Sequence, residues 1–269
     1  MLEPIPAAHA SIRPLFRDLE HHLLVEAFFE GKLPANLFVD DTERPRAGLL
    51  AYNNRFLFGG DPNRADFNAA LHHYFTEKVI PLRKAAGSDG ILLYYSPADW
   101  LPRLDEVFSG FETFQAPREY YQMTTPDPAP DIDLPAGFSL HLISPAFMES
   151  GIQGLEALRE EMCSERTSVE DFLAHSFGIC PVYENEIAGW CLSEYNTGGG
   201  CEIGIATLEP HQRQGLATQL TKAFLAEAAR RGYTRIGWDC WKRNQPSAAT
   251  ARKAGFTLLE EYPAFVALF

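Results

Sequence analysis

Basic residues are scarce in this 269-residue chain: 23 Lys and Arg stand against 36 Asp and Glu, a formal net charge of −13 at pH 7. A surface that grips nucleic acid or anionic lipid through clustered cations is therefore not expected. A cationic partner such as an amine suits that balance, although acidity also serves plain solubility. No run approaches the ~20 apolar residues that cross a bilayer. No apolar stretch follows a basic one at the N-terminus either, so a cytoplasmic protein without membrane contact is expected. CxxC is absent. The five cysteines, Cys163, Cys180, Cys191, Cys201 and Cys240, are odd in number and scattered, which argues for reduced, buried thiols over a disulfide framework. HExxH is absent as well. The adjacent pairs His21-His22 and His72-His73 would point to different faces of a helix, so no metal is expected.

What is present is an ordinary globular mixture, 46% hydrophobic and 22% charged, long enough for two domains. The segment Thr124-Thr125-Pro126-Asp127-Pro128-Ala129-Pro130-Asp131, followed by Asp133 and Pro135, can continue neither a helix nor a central strand. It reads as a linker over 126–136, between an N-terminal α/β domain at 1–125 and a C-terminal domain at 137–269.

Downstream, strands are expected at 138–143, 178–183, 187–195, 201–207 and 235–240, with a closing pair within 256–269. One helix is expected to start at Ser144-Pro145 and to carry Phe147, Ile152, Leu155 and Leu158. A capping box at Ser168-Val169-Glu170-Asp171 opens another. A long helix over 215–231 places Leu216, Leu220, Phe224 and Ala228 on one stripe and ends at Gly232, and a last one covers 246–254. Upstream the order is similar: strands at 37–39, 46–52 and 55–58, a helix over 65–84, a strand at 91–95, a helix over 99–108, and one or two strands in 111–123. The shared succession suggests that the first half is a second copy of the same architecture without its loop. An unrelated α/β domain is the competing reading.

The segment with most chemical content is Gln212-Arg213-Gln214-Gly215-Leu216-Ala217-Thr218, which joins a strand to the long helix. Successive backbone N–H groups and the positive helix end then aim at one point, an arrangement suited to a pyrophosphate. Gly215 and Ala217 keep the backbone approachable, and Arg213 adds charge. The pattern Gln-x-x-Gly-x-Ala arises by chance about once in a thousand positions, so its setting between strand and helix carries the weight. A second signature follows at Asn244, Ser247 and Lys253-Ala254-Gly255-Phe256.

Together these resemble the loop and the N-x-x-A…K-x-G-F segment of the GNAT acetyltransferases. Glu170-Asp171-Phe172-Leu173, Trp190-Cys191-Leu192-Ser193, Glu202-Ile203-Gly204-Ile205 and Trp238-Asp239-Cys240 resemble the subgroup that includes the zwittermicin A resistance acetyltransferase. So do Val39-Asp40-Asp41 with Pro45, and Phe56-Leu57-Phe58-Gly59-Gly60-Asp61. The resemblance implies an α/β (α+β) fold with a mixed, mostly antiparallel sheet flanked by helices, preceded by a second α/β domain, read as a degenerate copy. It implies acetyl-CoA as cosubstrate, bound by Ile205, Ala206 and Thr207 along pantetheine. Gln212, Arg213, Gln214, Gly215, Leu216, Ala217 and Thr218 would hold the pyrophosphate, and Asn244 and Ser247 would border the arm. A backbone N–H near Ala206 or Thr207 would polarise the thioester carbonyl.

The attacking amine must lose a proton. Glu202 is the first candidate to take it, placed at the open end of its strand on the face of Gly204 and Ala206; Asp239 is the second. For each, a structural carboxylate is the competing reading. Many GNAT enzymes carry a tyrosine two residues before the lysine of K-x-G-F; here that position is Ala251. Tyr195, Tyr262 or Cys240 could replace it, or the thiolate could leave unassisted. Cys240 reads as core rather than as a nucleophile, and Trp238 and Trp241 as packing. The expected activity is acetyl transfer to a primary amine of a small molecule by a monomer or homodimer. A catalytically weak CoA-binding or interaction module and a protein or peptide amine acetyltransferase are the alternatives.

Overall fold

The computed structural model describes residues 3–5 and 11–269. The chain divides into two compact units, 1–118 with 262–269, and 119–261. The division thus falls at 118/119 and again at 261/262, and the proline-rich stretch lies inside the second unit. That stretch is strapped down: Thr125 N donates to Thr234 O at 2.8 Å, Lys222 Nζ to Asp131 O at 2.9 Å, and Asp133 N to Gln219 Oε1 at 3.1 Å. Three prolines prevent regular structure there, but the backbone groups that remain find partners on the long helix and its following turn.

The first unit contains α1 (Leu23–Phe29), β1 (Asn36–Val39), β2 (Ala47–Tyr52), β3 (Arg55–Gly60), α2 (Ala65–Tyr74), α3 (Ile80–Ala85), β4 (Gly90–Ser96) and α4 (Leu101–Val107). β1, β2 and β3 run antiparallel, and β4 lies parallel to β3. The helix expected over 65–84 is a continuous helical run with a π turn at Phe75–Val79. Pro81 explains it, because a residue lacking an N–H breaks the i to i−4 ladder and a wider turn absorbs the gap. Aromatic rings fill the core, with Phe58 against Trp100 at 5.3 Å and Phe75 against Phe108 at 4.8 Å between centroids.

The second unit is built from part of β5 (Glu112–Thr124), then β6 (Phe138–Leu142), α5 (Pro145–Met148), α6 (Leu155–Glu165), α7 (Val169–His175), β7 (Gly178–Tyr183), β8 (Glu186–Ile187), β9 (Gly189–Glu194), β10 (Gly200–Thr207), α8 (Leu216–Arg230), β11 (Arg235–Trp241) and α9 (Gln245–Lys253), ending within β12 (Thr257–Leu268). Its strands lie in the order β5-β11-β10-β9-β7-β6, with β8 against β7. Only β10 and β11 pair in parallel among the registers of β6 to β11. Both units therefore repeat one succession: three antiparallel strands, a helix, and a strand parallel to the third.

Two expectations change. The helix foreseen from Ser144 is two helices, α5 and α6, because Gly151 (φ 73°) and Gly154 (φ 86°) take the left-handed conformation between them. The closing pair of strands is one strand, β12; its last residues, Phe265 to Leu268, pair with β4 in the first unit. The capping box forms, with Asp171 N donating to Ser168 Oγ at 3.1 Å. Cys180, Cys191, Cys201 and Cys240 are buried strand residues, and all five cysteines are free thiols.

Candidate functional site

The site begins with an interrupted ladder. β10 and β11 pair at Gly200 with Arg235, Cys201 with Ile236 and Glu202 with Gly237. Both strands then continue, to Thr207 and Trp241, outside that parallel register. On its other edge β10 stays fully paired with β9, from Glu202 opposite Glu194 to Thr207 opposite Gly189. Beyond Glu202, then, backbone groups of β10 on the β11 side are available to a guest.

Past Thr207 the chain turns through Glu209–His211 and enters α8. Arg213 (φ 60°) and Gly215 (φ 79°) both adopt the left-handed conformation, which swings successive N–H groups toward one side. Gly215 is the N-cap of α8 and makes no side-chain cap bond. The N–H groups of Leu216 and Ala217 come before the first intrahelical donor, Thr218 N to Gly215 O at 3.1 Å, and point outward with the positive end of a 15-residue helix. A Cβ on Gly215 would meet nothing within 4 Å, so its conformation, not crowding, selects glycine.

Eleven of the twelve residues expected to hold the cosubstrate line a single cleft of about 670 Å³: Ile205, Ala206, Thr207, Gln212, Arg213, Gly215, Leu216, Ala217, Thr218, Asn244 and Ser247. Gln214 does not; its side chain turns back, Nε2 donating to Pro210 O at 3.3 Å. Gln212 is likewise tied to the strand end, Nε2 to Thr207 O at 2.9 Å, so its amide shapes the loop. Asn244 caps α9 by accepting from Ser247 N at 3.2 Å, and Ser247 Oγ accepts from Trp238 Nε1 at 3.0 Å. This pair thus sets the start of α9 and anchors the indole that forms part of the wall. Lys253 also lines the cleft, as do His211 and Thr250. In the sequence Lys253 stands out only as part of the K-x-G-F motif; one helical turn from Thr250 on α9, it shares that residue's face.

The family model described as GNAT acetyltransferase matches residues 13–265. The chain belongs to the GNAT acetyltransferase family. Its relatives include the uncharacterized N-acetyltransferase YdfB of Bacillus subtilis (strain 168), 24% identical over 255 residues and 94% of each chain. Among solved structures, a GCN5-related N-acetyltransferase-like protein from Streptococcus suis superposes with a TM-score of 0.69, at 21% identity, over 95% of this chain and 96% of that one. A tandem GNAT protein from the clavulanic acid biosynthesis pathway superposes with a TM-score of 0.58, at 14% identity, over 100% and 98%. At such identities the structural likeness speaks for the fold, including the two-unit arrangement.

GNAT acetyltransferases use acetyl-CoA, and this cleft suits a CoA thioester. The free edge of β10 leads into a loop of converging N–H groups, and the cations Arg213 and Lys253 line the same cleft. Glu202 differs from the expectation in its setting: it is buried, 5% exposed, and stands where β10 and β11 part rather than at an open strand end. Alternation keeps it on the face of Gly204 and Ala206, while Ile203 and Ile205 pack on the α8 side. Asp239 is half-buried two residues past Gly237, the last β11 residue paired with β10. Ala251 is fully buried in the core under α8 and α9. Of the groups that could replace its missing phenol, Cys240 lies in that same core, Tyr195 is buried at the end of β9, and Tyr262 belongs to the first unit. No helix among the described residues is long and apolar enough to cross a membrane.

Proposed function

We propose that the chain transfers the acetyl group of acetyl-CoA to a primary amine of a small molecule, with Glu202 as the proton acceptor. The parting of β10 from β11 immediately after Glu202 and Gly237 carries this reading. It opens the strand edge that leads to the cleft, and it does so beside a buried carboxylate. Glu194, opposite Glu202 on β9, and Asp239 on β11 make that face acidic, which favours an acceptor that arrives as an ammonium ion.

Acetyl-CoA, when bound, supplies an acetyl group already activated as a thioester. The chain does the rest. Ile205, Ala206 and Thr207 present backbone groups along the arm, and the loop from Arg213 to Ala217 with Lys253 neutralises phosphate charge. The ammonium first gives one proton to solvent; Glu202 accepts the second as the nitrogen–carbon bond forms and the carbon–sulfur bond breaks, and CoA departs as the thiolate. A thiolate is a weak enough base to leave without an acid, which fits Ala251 at the position of the usual tyrosine. The motif segments that resemble the zwittermicin A resistance subgroup further support an amine-bearing small molecule as acceptor.

Ala251 also favours a second reading, a CoA-binding module with little turnover. Two measurements separate them. Thermal unfolding with acetyl-CoA, CoA and ATP is expected to show stabilisation by the two CoA compounds alone. Thiol release is then followed with polyamines, amino sugars, amino acids, zwittermicin A and peptide amines. Release with a small amine supports the proposal, release with peptides alone moves the acceptor class, and stabilisation without release leaves the binding module.

A further inference from the structure

Tyr120 belongs to none of the motifs. It stands on β5, separated from β10 by β11, and is completely buried. Its hydroxyl lies 3.2 Å from Glu202 Oε1. Gly237, on the intervening strand, makes room for that reach: a Cβ there would overlap the Tyr120 hydroxyl and stand 2.9 Å from Glu202 Cγ. The phenol therefore crosses over a glycine to meet a carboxylate at the last pair before the strands part.

The direction of this bond follows from its surroundings. Burial, then the charges of Glu202 and Asp239, push the Tyr120 hydroxyl well above the ordinary tyrosine range, with Arg235 pulling weakly the other way. The phenol keeps its proton and donates; the carboxylate accepts. Such a donor acts on the charged form of Glu202 against what surrounds it. Glu194 stands directly opposite it on β9, with its carboxylate over Gly204, Asp239 lies on β11, and the thiol of Cys201 is its buried neighbour on β10. Like charges at cross-strand distance and burial both favour the protonated acid, a form that cannot take a proton from an amine. The Tyr120 hydroxyl, donating to Glu202 Oε1, opposes them.

We propose that Tyr120 is a positioning residue for acetyl transfer: by donating from β5 it holds Glu202 ionised, and in one orientation, where β10 leaves β11. This rests on the assignment of Glu202 as proton acceptor. Tyr120 keeps its own proton throughout; the proton that moves is the amine's.

The test is Tyr120→Phe, which removes one oxygen and keeps the ring that fills the core. With glutamate labelled by 13C at the carboxyl, and the Glu202 signal assigned by its loss in Glu202→Gln, the titration midpoint of Glu202 is expected to rise by about one pH unit in Tyr120→Phe. Acetyl-CoA stabilisation should remain, and the acid limb of thiol release should move by the same amount. Reciprocally, in Glu202→Gln the 13Cζ signal of Tyr120 at neutral pH should move from its parental position as the carboxylate acceptor is lost, a readout that does not depend on Tyr120→Phe folding. An unmoved Glu202 midpoint, or an unmoved Tyr120, overturns the proposal and leaves the acetyltransferase reading intact. A Glu202→Gln chain that releases thiol at the parental rate overturns the proton-acceptor assignment, and this proposal with it.

Discussion

The two units use one succession of elements to opposite ends. In the first, β3 and β4 stay zipped for five residues, from Arg55 with Leu92 to Gly59 with Ser96. In the second, β10 and β11 hold together for three and then separate. The connection from β3 to α2 spans only Asp61 to Arg64, whereas Leu208 to Gly215 connect β10 to α8. The end of β3 is also filled: Trp100 Nε1 donates to Gly60 O at 3.0 Å, and the backbone of Leu15 covers Gly59 so closely that a Cβ could not fit. Where pairing stops is what frees the β10 edge beside the cleft. Strand order alone does not.

The sharpest way to break the comparison is to place a negative charge in each connection. Gly215→Glu is expected to weaken acetyl-CoA binding at least about a hundredfold, since it opposes both the helix end and the phosphates. Asn63→Glu, in the short connection of the first unit, should leave binding unchanged. Isothermal titration reads both, and the loop assignment fails if Gly215→Glu binds like the parent. Next in size is Gly237→Ala. The parting point of the second unit needs a glycine because the Tyr120 hydroxyl occupies the space above it, while Leu57 and Tyr94 pair in the zipped first unit. Denaturant unfolding should show a loss of about 1 to 3 kcal/mol. Trp100→Phe deletes the bond to Gly60 O and should cost about 1 to 2 kcal/mol with acetyl-CoA affinity unchanged.

The smallest effect concerns acid. Burial works against the charged form of Asp40, but backbone N–H groups of Ala47 and Arg46 and the Arg64 guanidinium outweigh it, so its pKa lies below the ordinary value. A depressed pKa contributes stability that is present above the unfolded value and is lost as pH falls through the folded one. Stability should therefore fall less steeply below about pH 4 in Asp40→Asn than in the parent. An equal slope in the two chains would discount those bonds.

The residues that were legible in sequence are those whose roles are local. Gln212 to Thr218 could be placed because a loop, a glycine and an amphipathic stripe lie within a few turns of one another. Asn244 was legible only through the resemblance, as a residue beside the cofactor arm; its capping of α9 comes from the structure. Asp40 and Asp61 were legible as a resemblance but serve as turn-closing carboxylates, each accepting from neighbouring backbone. Other features depend on which strands meet. Nothing near Tyr120 in the chain announces a partner 82 positions away, and Glu202 gains its burial from strands that flank it. The break between α5 and α6 could have been foreseen, since Gly151 and Gly154 are visible in the sequence; the apolar spacing of Phe147, Ile152 and Leu155 masked them. The membership of the last strand was not foreseeable, because an apolar run does not state which sheet it will join.

That last strand has a consequence for how the protein is made. Phe265 and Ala267 sit in the core of the first unit, and the strand that bears them covers an edge of β4. The first unit is therefore completed by residues 262–269, which follow the whole of the second unit in the chain. Throughout synthesis of everything between, β4 carries a bare edge, the kind that invites wrong partners. Removal of residues 262–269 would thus damage the first unit more than the second.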